Sequence, residues 1–293
     1  MSLLDADTLR GLDALQGALR GQVRGQRAGD HRSLRKGPSV EFAEHRPYAP
    51  GDDLRRIDWN AYGRLDELVV RLSAAEEDVT LHLLVDASES MATGTPTKWH
   101  EAQRIAAAVG YASLTSGERV SLTVSLGGRT APAAPLRGRG AWSRFERALE
   151  SIVPEGRSCL DEAARRAITG PSGRDAAAVV LSDALDEGAT LRCLALLSAA
   201  RHSTTFVHLL SQDELDPRLD DDATLVDVET GERLDVAVDP GLLRAYSAKL
   251  DAFCREVETE CQRRGVRYLA AFAAPPLLTL MARLFAAPAR GAR

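Results

Sequence analysis

Apolar positions along the chain repeat with two periods, and the alternation between them marks out the elements. Val79-Thr-Leu-His-Leu-Leu-Val85 is a near-continuous apolar run of leucine and β-branched residues, the pattern of a strand buried on both faces. Val120-Ser-Leu-Thr-Val-Ser-Leu126 alternates as a strand does, and Gly127-Gly128 permits a tight turn into a short edge strand. Further strands are predicted over 176–181, 204–210 and 268–272. Helical spacing occupies the intervals: 98–114, 143–152, 160–168, 191–201, 240–264 and a closing 277–285. Residues 226–236 read as a β-hairpin inserted before the long helix. Upstream, Leu9, Leu12, Leu15, Leu19 and Val23 predict an amphipathic opening helix, and 67–74 a further strand. Strands alternating with helices predict an α/β fold whose mainly parallel sheet is covered by helices on both faces. The boundary falls near 75, with an N-terminal extension over 1–75 and the main domain over 76–293.

Bulk properties narrow this picture only a little. A hydrophobic fraction of 44% over 293 residues suits a chain with a substantial core, and a net charge of −5 calls for neither nucleic acid nor a membrane surface. No uncharged apolar run reaches the roughly 18 residues of a membrane span, and the run from Tyr268 to Met281 is cut by Pro275-Pro276. The opening Met1–Asp7 lacks the basic and apolar regions of a signal peptide, so a cytoplasmic protein is expected. Cys159, Cys193, Cys254 and Cys261 show no C-x-x-C spacing and are expected as core thiols. Lysine is scarce, with only Lys36, Lys98 and Lys249.

The candidate chemistry sits where the apolar strand ends. Asp86, Ser88 and Ser90 follow Val85 at alternating positions, and open α/β sheets bind ligands beyond the carboxyl ends of their strands. An all-oxygen set with no Cys or His suits a hard cation such as Mg²⁺ or Mn²⁺ rather than zinc. The string D-x-S-x-S alone fits equally well an aspartate and serines that cap the next helix. Two later loops add compatible oxygens: Ser158, after the Gly156-bearing loop, and Asp183, at the end of another apolar strand. If the two aspartate-bearing strands are neighbours, all five side chains converge on one edge.

This arrangement resembles the von Willebrand factor A fold with its metal-ion-dependent adhesion site. Asp86, Ser88 and Ser90 match that family's D-x-S-x-S element. Gly156-Arg-Ser158-Cys-Leu160 is similar to its G-G-T-x-L element with Ser in place of Thr, and Ser182-Asp183 to its last element. Upstream, Glu41-Phe42, Arg46-Pro-Tyr48, Pro50-Gly-Asp-Asp53, Arg55 and Ile57-Asp-Trp59 resemble the signature of the bacterial domain-of-unknown-function 58 family, which precedes such a domain. The resemblance implies a von Willebrand factor A-like, Rossmann-like sheet holding a divalent cation through Asp86, Ser88, Ser90, Ser158 and Asp183. It implies a non-enzymatic, metal-dependent protein-interaction module. The implied partner is a MoxR-type AAA+ ATPase or its client, with a partner carboxylate completing the metal site. Many family members carry membrane helices before the signature, and this chain resembles the soluble form.

Two other readings stay open at this level. One is a Mg²⁺-dependent phosphohydrolase or phosphotransferase with Asp86 as nucleophile. Against it, Ser88 stands where a second aspartate serves as general acid, and neither Lys98 nor Lys249 is placed as a catalytic lysine. The other is a metal-free scaffold whose serines cap helix turns. His82 and His208 fall within strands and are expected as packed core residues. Between residues 40 and 60, Glu41, Glu44, Asp52, Asp53 and Asp58 interleave with Arg46, Arg55 and Arg56, which predicts an ion-paired clamp. The basic stretch 24–38 lacks interleaved aromatics and reads as a solvated arm.

Overall fold

The computed structural model describes residues 2–16, 44–49, 57–65, 67–72, 80–132, 134–170, 176–217, 222–226 and 232–286. They fall into two compact units, one drawn from 1–23 and 79–293 and the other from 24–78.

In the larger unit, residues 6–16 form the opening helix α1. The sheet strands then alternate with helices: β3 (Thr80–Asp86), α3 (Lys98–Thr115), β4 (Arg119–Leu126), β5 (Arg129–Pro132), β6 (Leu136–Arg137), α4 (Trp142–Glu150), α5 (Leu160–Thr169), β7 (Ala177–Ser182), α6 (Glu187–Ala199) and β8 (Ser203–Leu210). After the short α7 (Gln212–Leu215) come β9 (Asp222–Val226), β10 (Arg233–Ala237), α8 (Pro240–Arg263), β11 (Arg267–Phe272) and α9 (Leu277–Phe285). The strand order is β11-β8-β7-β3-β4-β5, with β6 also on β4. All pairings are parallel except those of β5 and β6 with β4. The turn into β5 uses Gly127 and Gly128 at φ of 54° and 70°, the two positive values that a type I′ hairpin requires. The antiparallel pair β9–β10 is the inserted hairpin.

Strand periodicity divides the core between two faces. Leu81, Leu83 and Val85 of β3, Val179 and Leu181 of β7, and Val207 and Leu209 of β8 pack with α3, α4 and α9. Leu84, Val180 and Phe206 point the other way, into α5, α6 and α8. Leu4 and Leu12, at the start of the chain, belong to the first face. With both faces covered, β3 is buried at every position, which explains why its apolar run does not alternate.

The smaller unit pairs β1 (Glu44–Pro47) with β2 (Val69–Leu72) in antiparallel register around α2 (Trp59–Leu65). Asp58 is buried and accepts the Ala61 amide at 3.1 Å, a helix cap. Trp59 and Tyr62 meet edge to face at 6.2 Å and are both exposed. The other charged side chains of the expected clamp, and the basic stretch 24–38, lie outside the described residues. Among the described residues, no helix is long and apolar enough to cross a membrane.

Candidate metal site at the sheet switch point

The chain leaves β3 for β4 on one side and later returns to add β7 on the other, so the order reverses between β3 and β7. Flanking loops diverge at such a point and leave a crevice beyond the carboxyl ends. Asp86 is the last residue of β3 and Asp183 the first beyond β7, and both are 1% exposed. Leu181 pairs with Val85, so Ser182 comes beside Asp86 and donates its hydroxyl to Asp86 Oδ2 at 2.7 Å.

Ser158 arrives from a different loop. Gly127 N–H donates to the Glu155 carbonyl at 2.8 Å and Gly128 N–H to the Arg157 carbonyl at 3.0 Å. Gly156, at φ 57°, lies so close that a Cβ there would sit 2.9 Å from Gly127 Cα. The same loop is stitched to β3, by Glu155 N–H to the Ala87 carbonyl (3.0 Å) and Glu89 N–H to the Gly156 carbonyl (2.8 Å). Ser158 Oγ is thereby delivered to Asp86 Oδ2 at 3.0 Å. Ser125 Oγ, at the end of β4, lies 3.4 Å from Ser158 Oγ and accepts the Cys159 amide at 2.6 Å.

On the other side of Asp86, its Oδ1 accepts the Ser88 amide at 3.1 Å, and Ser88 Oγ and Ser90 Oγ stand 3.1 Å apart. Ser88 precedes the 3₁₀ turn Glu89–Ala92 without capping it through its side chain. The N-cap position of α5 is Cys159, not Ser158, and its side chain makes no capping hydrogen bond. The capping role open to these serines at the sequence level is therefore not the one Ser88 and Ser158 play.

Electrostatics divide the site. Among the described residues, every donor to Asp86 is neutral. Burial, followed by repulsion from Asp183, pushes its carboxyl up to about 6, although Ser182, Ser88 and Ser158 pull it down. Asp183 Oδ1 accepts the Leu185 amide at 3.1 Å, around the left-handed Ala184 (φ 60°). Its Oδ2 accepts the Lys98 ammonium at 2.8 Å. Lys98 opens α3, is fully buried, and also pairs with Glu214. Burial alone would lower the ammonium pKa, but Asp183 and Glu214 outweigh it and hold it above the ordinary lysine value. Glu214 Oε2 is in turn fixed by the amide (2.7 Å) and hydroxyl (3.0 Å) of Ser211 in a capping box. Behind Asp183, buried His208 places Nε2 3.0 Å from the Asp183 carbonyl and Nδ1 2.9 Å from Tyr268 Oη; burial depresses its pKa to about 4.

Asp86 thus receives the Ser158 hydroxyl and the Ser88 amide, the Ser88 and Ser90 hydroxyls meet each other, and Asp183 lies on the same edge. The expectation about lysine is corrected: Lys98 reaches the site because the first turn of α3 lies over the end of β7. Ser125, Glu214 and Ser211 were not picked out from the sequence, and Ser182 was named only beside Asp183. For Ser182, adjacency to Asp183 was a usable signal; for Glu214, S-x-x-E at 211–214 marked only a helix start. The donor set is hard oxygen, centred on a buried carboxylate that has no cationic partner among the described residues, and such a set fits Mg²⁺ or Mn²⁺. Among the described residues, no group of three His, Cys, Asp or Glu side chains is placed to hold a metal, so any ion here depends on the serine hydroxyls.

A mainly parallel sheet covered on both faces, with this oxygen-lined switch point, defines a doubly wound α/β domain. Residues 44–255 match the family described as "Protein of unknown function DUF58", and the chain belongs to that family. Its relatives include the uncharacterized proteins Mb1516 of Mycobacterium bovis and Rv1480 of Mycobacterium tuberculosis. Each is 30% identical over 270 residues, covering 90% of this chain and 84% of the relative. Among solved structures it is similar to the conserved hypothetical protein BatB from Bacteroides thetaiotaomicron (14% identity, TM-score 0.43, 70% of this chain and 96% of that one). It is also similar to the SpRpn10 VWA domain (12% identity, TM-score 0.39, 69% and 93%).

Proposed function

We propose that this protein is a non-enzymatic, metal-dependent protein-interaction module. Asp86, Ser88, Ser90 and Ser158 would hold Mg²⁺ or Mn²⁺, with Asp183 supporting the site. The observation that carries this reading is the convergence of serines from two loops on one buried carboxylate whose other donors are neutral. A bound divalent ion would supply an electrophilic position at which a carboxylate of a partner protein can replace water. The chain's own residues fix the direction of that bond, because the carboxylate and the Gly156 loop are held by backbone hydrogen bonds. A MoxR-type AAA+ ATPase, the partner implied by the sequence resemblance, is the candidate to test.

Phosphoryl transfer is the weaker reading even with Lys98 at the site. The Lys98 side chain is 1% exposed and already engaged by two carboxylates, so it presents no charge to a substrate. Ser88 still stands where a general acid is needed.

Calorimetric titration of Mg²⁺ and Mn²⁺ into the metal-free chain tests the proposal. Saturable binding is expected, and Asp86→Ala should abolish it while leaving the circular dichroism spectrum unchanged. Retained binding in that variant would remove Asp86 from the ligand set. Purified MoxR-type ATPase should bind the wild type with Mg²⁺ and fail to bind it in EDTA, and aryl phosphate turnover with Mg²⁺ should not exceed buffer.

A further inference from the structure

Among the described residues the edge holds two buried aspartates and one buried cation, Lys98. A buried ammonium at the first turn of a helix is doubly unfavourable, through desolvation and through the positive end of the helix dipole. It persists here because both of its carboxylates are themselves held. Asp183 is anchored through Leu185 N–H, and Glu214 through the Ser211 amide and hydroxyl. Tyr246 Oη adds a 2.8 Å bond to the Glu214 carbonyl from α8. The ammonium is therefore pinned from three elements beyond its own and cannot swing aside without unpairing buried charge.

We propose that Lys98 sets the strength of the divalent-cation site: its ammonium takes Asp183 out of the direct ligand set and opposes a second positive charge beside it. This rests on the metal-site reading above and goes beyond it in assigning unequal roles to the two aspartates. Asp183 already accepts the Lys98 ammonium and the Leu185 amide, whereas the donors to Asp86 among the described residues are two hydroxyls and an amide. An ion placed against Asp183 would share that carboxylate with the ammonium, and like charges at such separation repel strongly in a buried site. The site is then a one-carboxylate, serine-rich pocket with modest affinity. A carboxylate brought by a partner becomes the second anion that Lys98 has withheld, so the grip on metal and the grip on partner are coupled.

Two double variants separate the roles. Lys98→Met/Glu214→Gln removes the ammonium together with its second carboxylate and frees Asp183. Mn²⁺ should bind at least about tenfold tighter than in the wild type, and Mg²⁺ should raise the melting temperature of this variant more than that of the wild type. Lys98→Met/Asp183→Asn removes one positive and one negative charge, leaving Glu214 held by Ser211, and Mn²⁺ affinity should stay within about threefold of wild type. Equal or weaker binding in the first variant overturns the proposal, as does a loss beyond tenfold in the second, which would make Asp183 a direct ligand. If the first variant does not fold, the second still decides. Wild type that binds no Mn²⁺, beside a first variant that does, supports Lys98 as the restraint. No binding in any of the proteins overturns the metal-site reading itself, and this inference with it.

Discussion

Asp86 and Asp183 end neighbouring parallel strands, are equally buried, and each receive backbone and side-chain donors, yet their chemistry diverges. Asp183 is neutralised by Lys98, an ion pair with both side chains 1% exposed. Among the described residues Asp86 receives hydroxyls and an amide, and its carboxyl is pushed up to about 6. A fixed cation turns a strand-end aspartate into structure, whereas its lack leaves a carboxylate that gains most from a cation delivered from outside. The same fold position therefore meets two electrostatic environments, and a side chain from α3 makes the difference.

The largest expected break in this comparison is in stability. Asp183→Ala leaves Lys98 buried beside one carboxylate and should cost about 3–5 kcal/mol, the usual result of stripping one partner from a buried pair. Asp86→Asn removes a charge that has no cationic partner and should keep stability in EDTA within about 1 kcal/mol of wild type, or raise it. Urea unfolding of both variants in EDTA checks this, and similar losses would mean the two aspartates are not distinct.

The pH dependence should follow Asp86. Its folded pKa lies above the ordinary 3.8, so the folded state binds the proton more strongly than the unfolded chain. Its contribution is therefore favourable at low pH and is lost as pH rises from about 4 through about 6, by roughly 3 kcal/mol in all. His82 and His208, depressed to about 4 by burial, act oppositely and lose stability as pH falls from 6.5. They are common to wild type and Asp86→Asn, so the difference between those two should move toward the variant as pH rises from about 4 through about 6. Metal binding requires the deprotonated carboxyl, so Mn²⁺ affinity should fall below about pH 6 and level off above it; a flat profile down to pH 5 would deny Asp86 its role. The smallest effect sharpens the same point: Ser90→Ala should weaken Mn²⁺ binding roughly tenfold with little change in stability.

Local sequence determined a large part of this. β3 was legible because burial on both faces forces an unbroken apolar run, and the Gly127-Gly128 turn because only positive φ at both positions closes that hairpin. The long helices, the inserted hairpin and the strand-end positions of Asp86 and Asp183 followed from periodicity and turn residues. Ser158 was found by its loop motif, since a glycine before a hydroxyl at a helix start marks a tight approach. What the sequence alone could not decide was which of these groups carry uncompensated charge. Lys98, Asp183 and Glu214 are 85 and 116 positions apart as counted from the lysine, and no periodicity links them. Their meeting depends on the strand order that sets β7 between β3 and β8 and on the way α3 starts over that edge. Hydrophobic pattern is a local record of which face is buried, and so it can be read from the chain. Charge balance is a sum over everything that ends up within a few ångströms, and only the tertiary structure performs it.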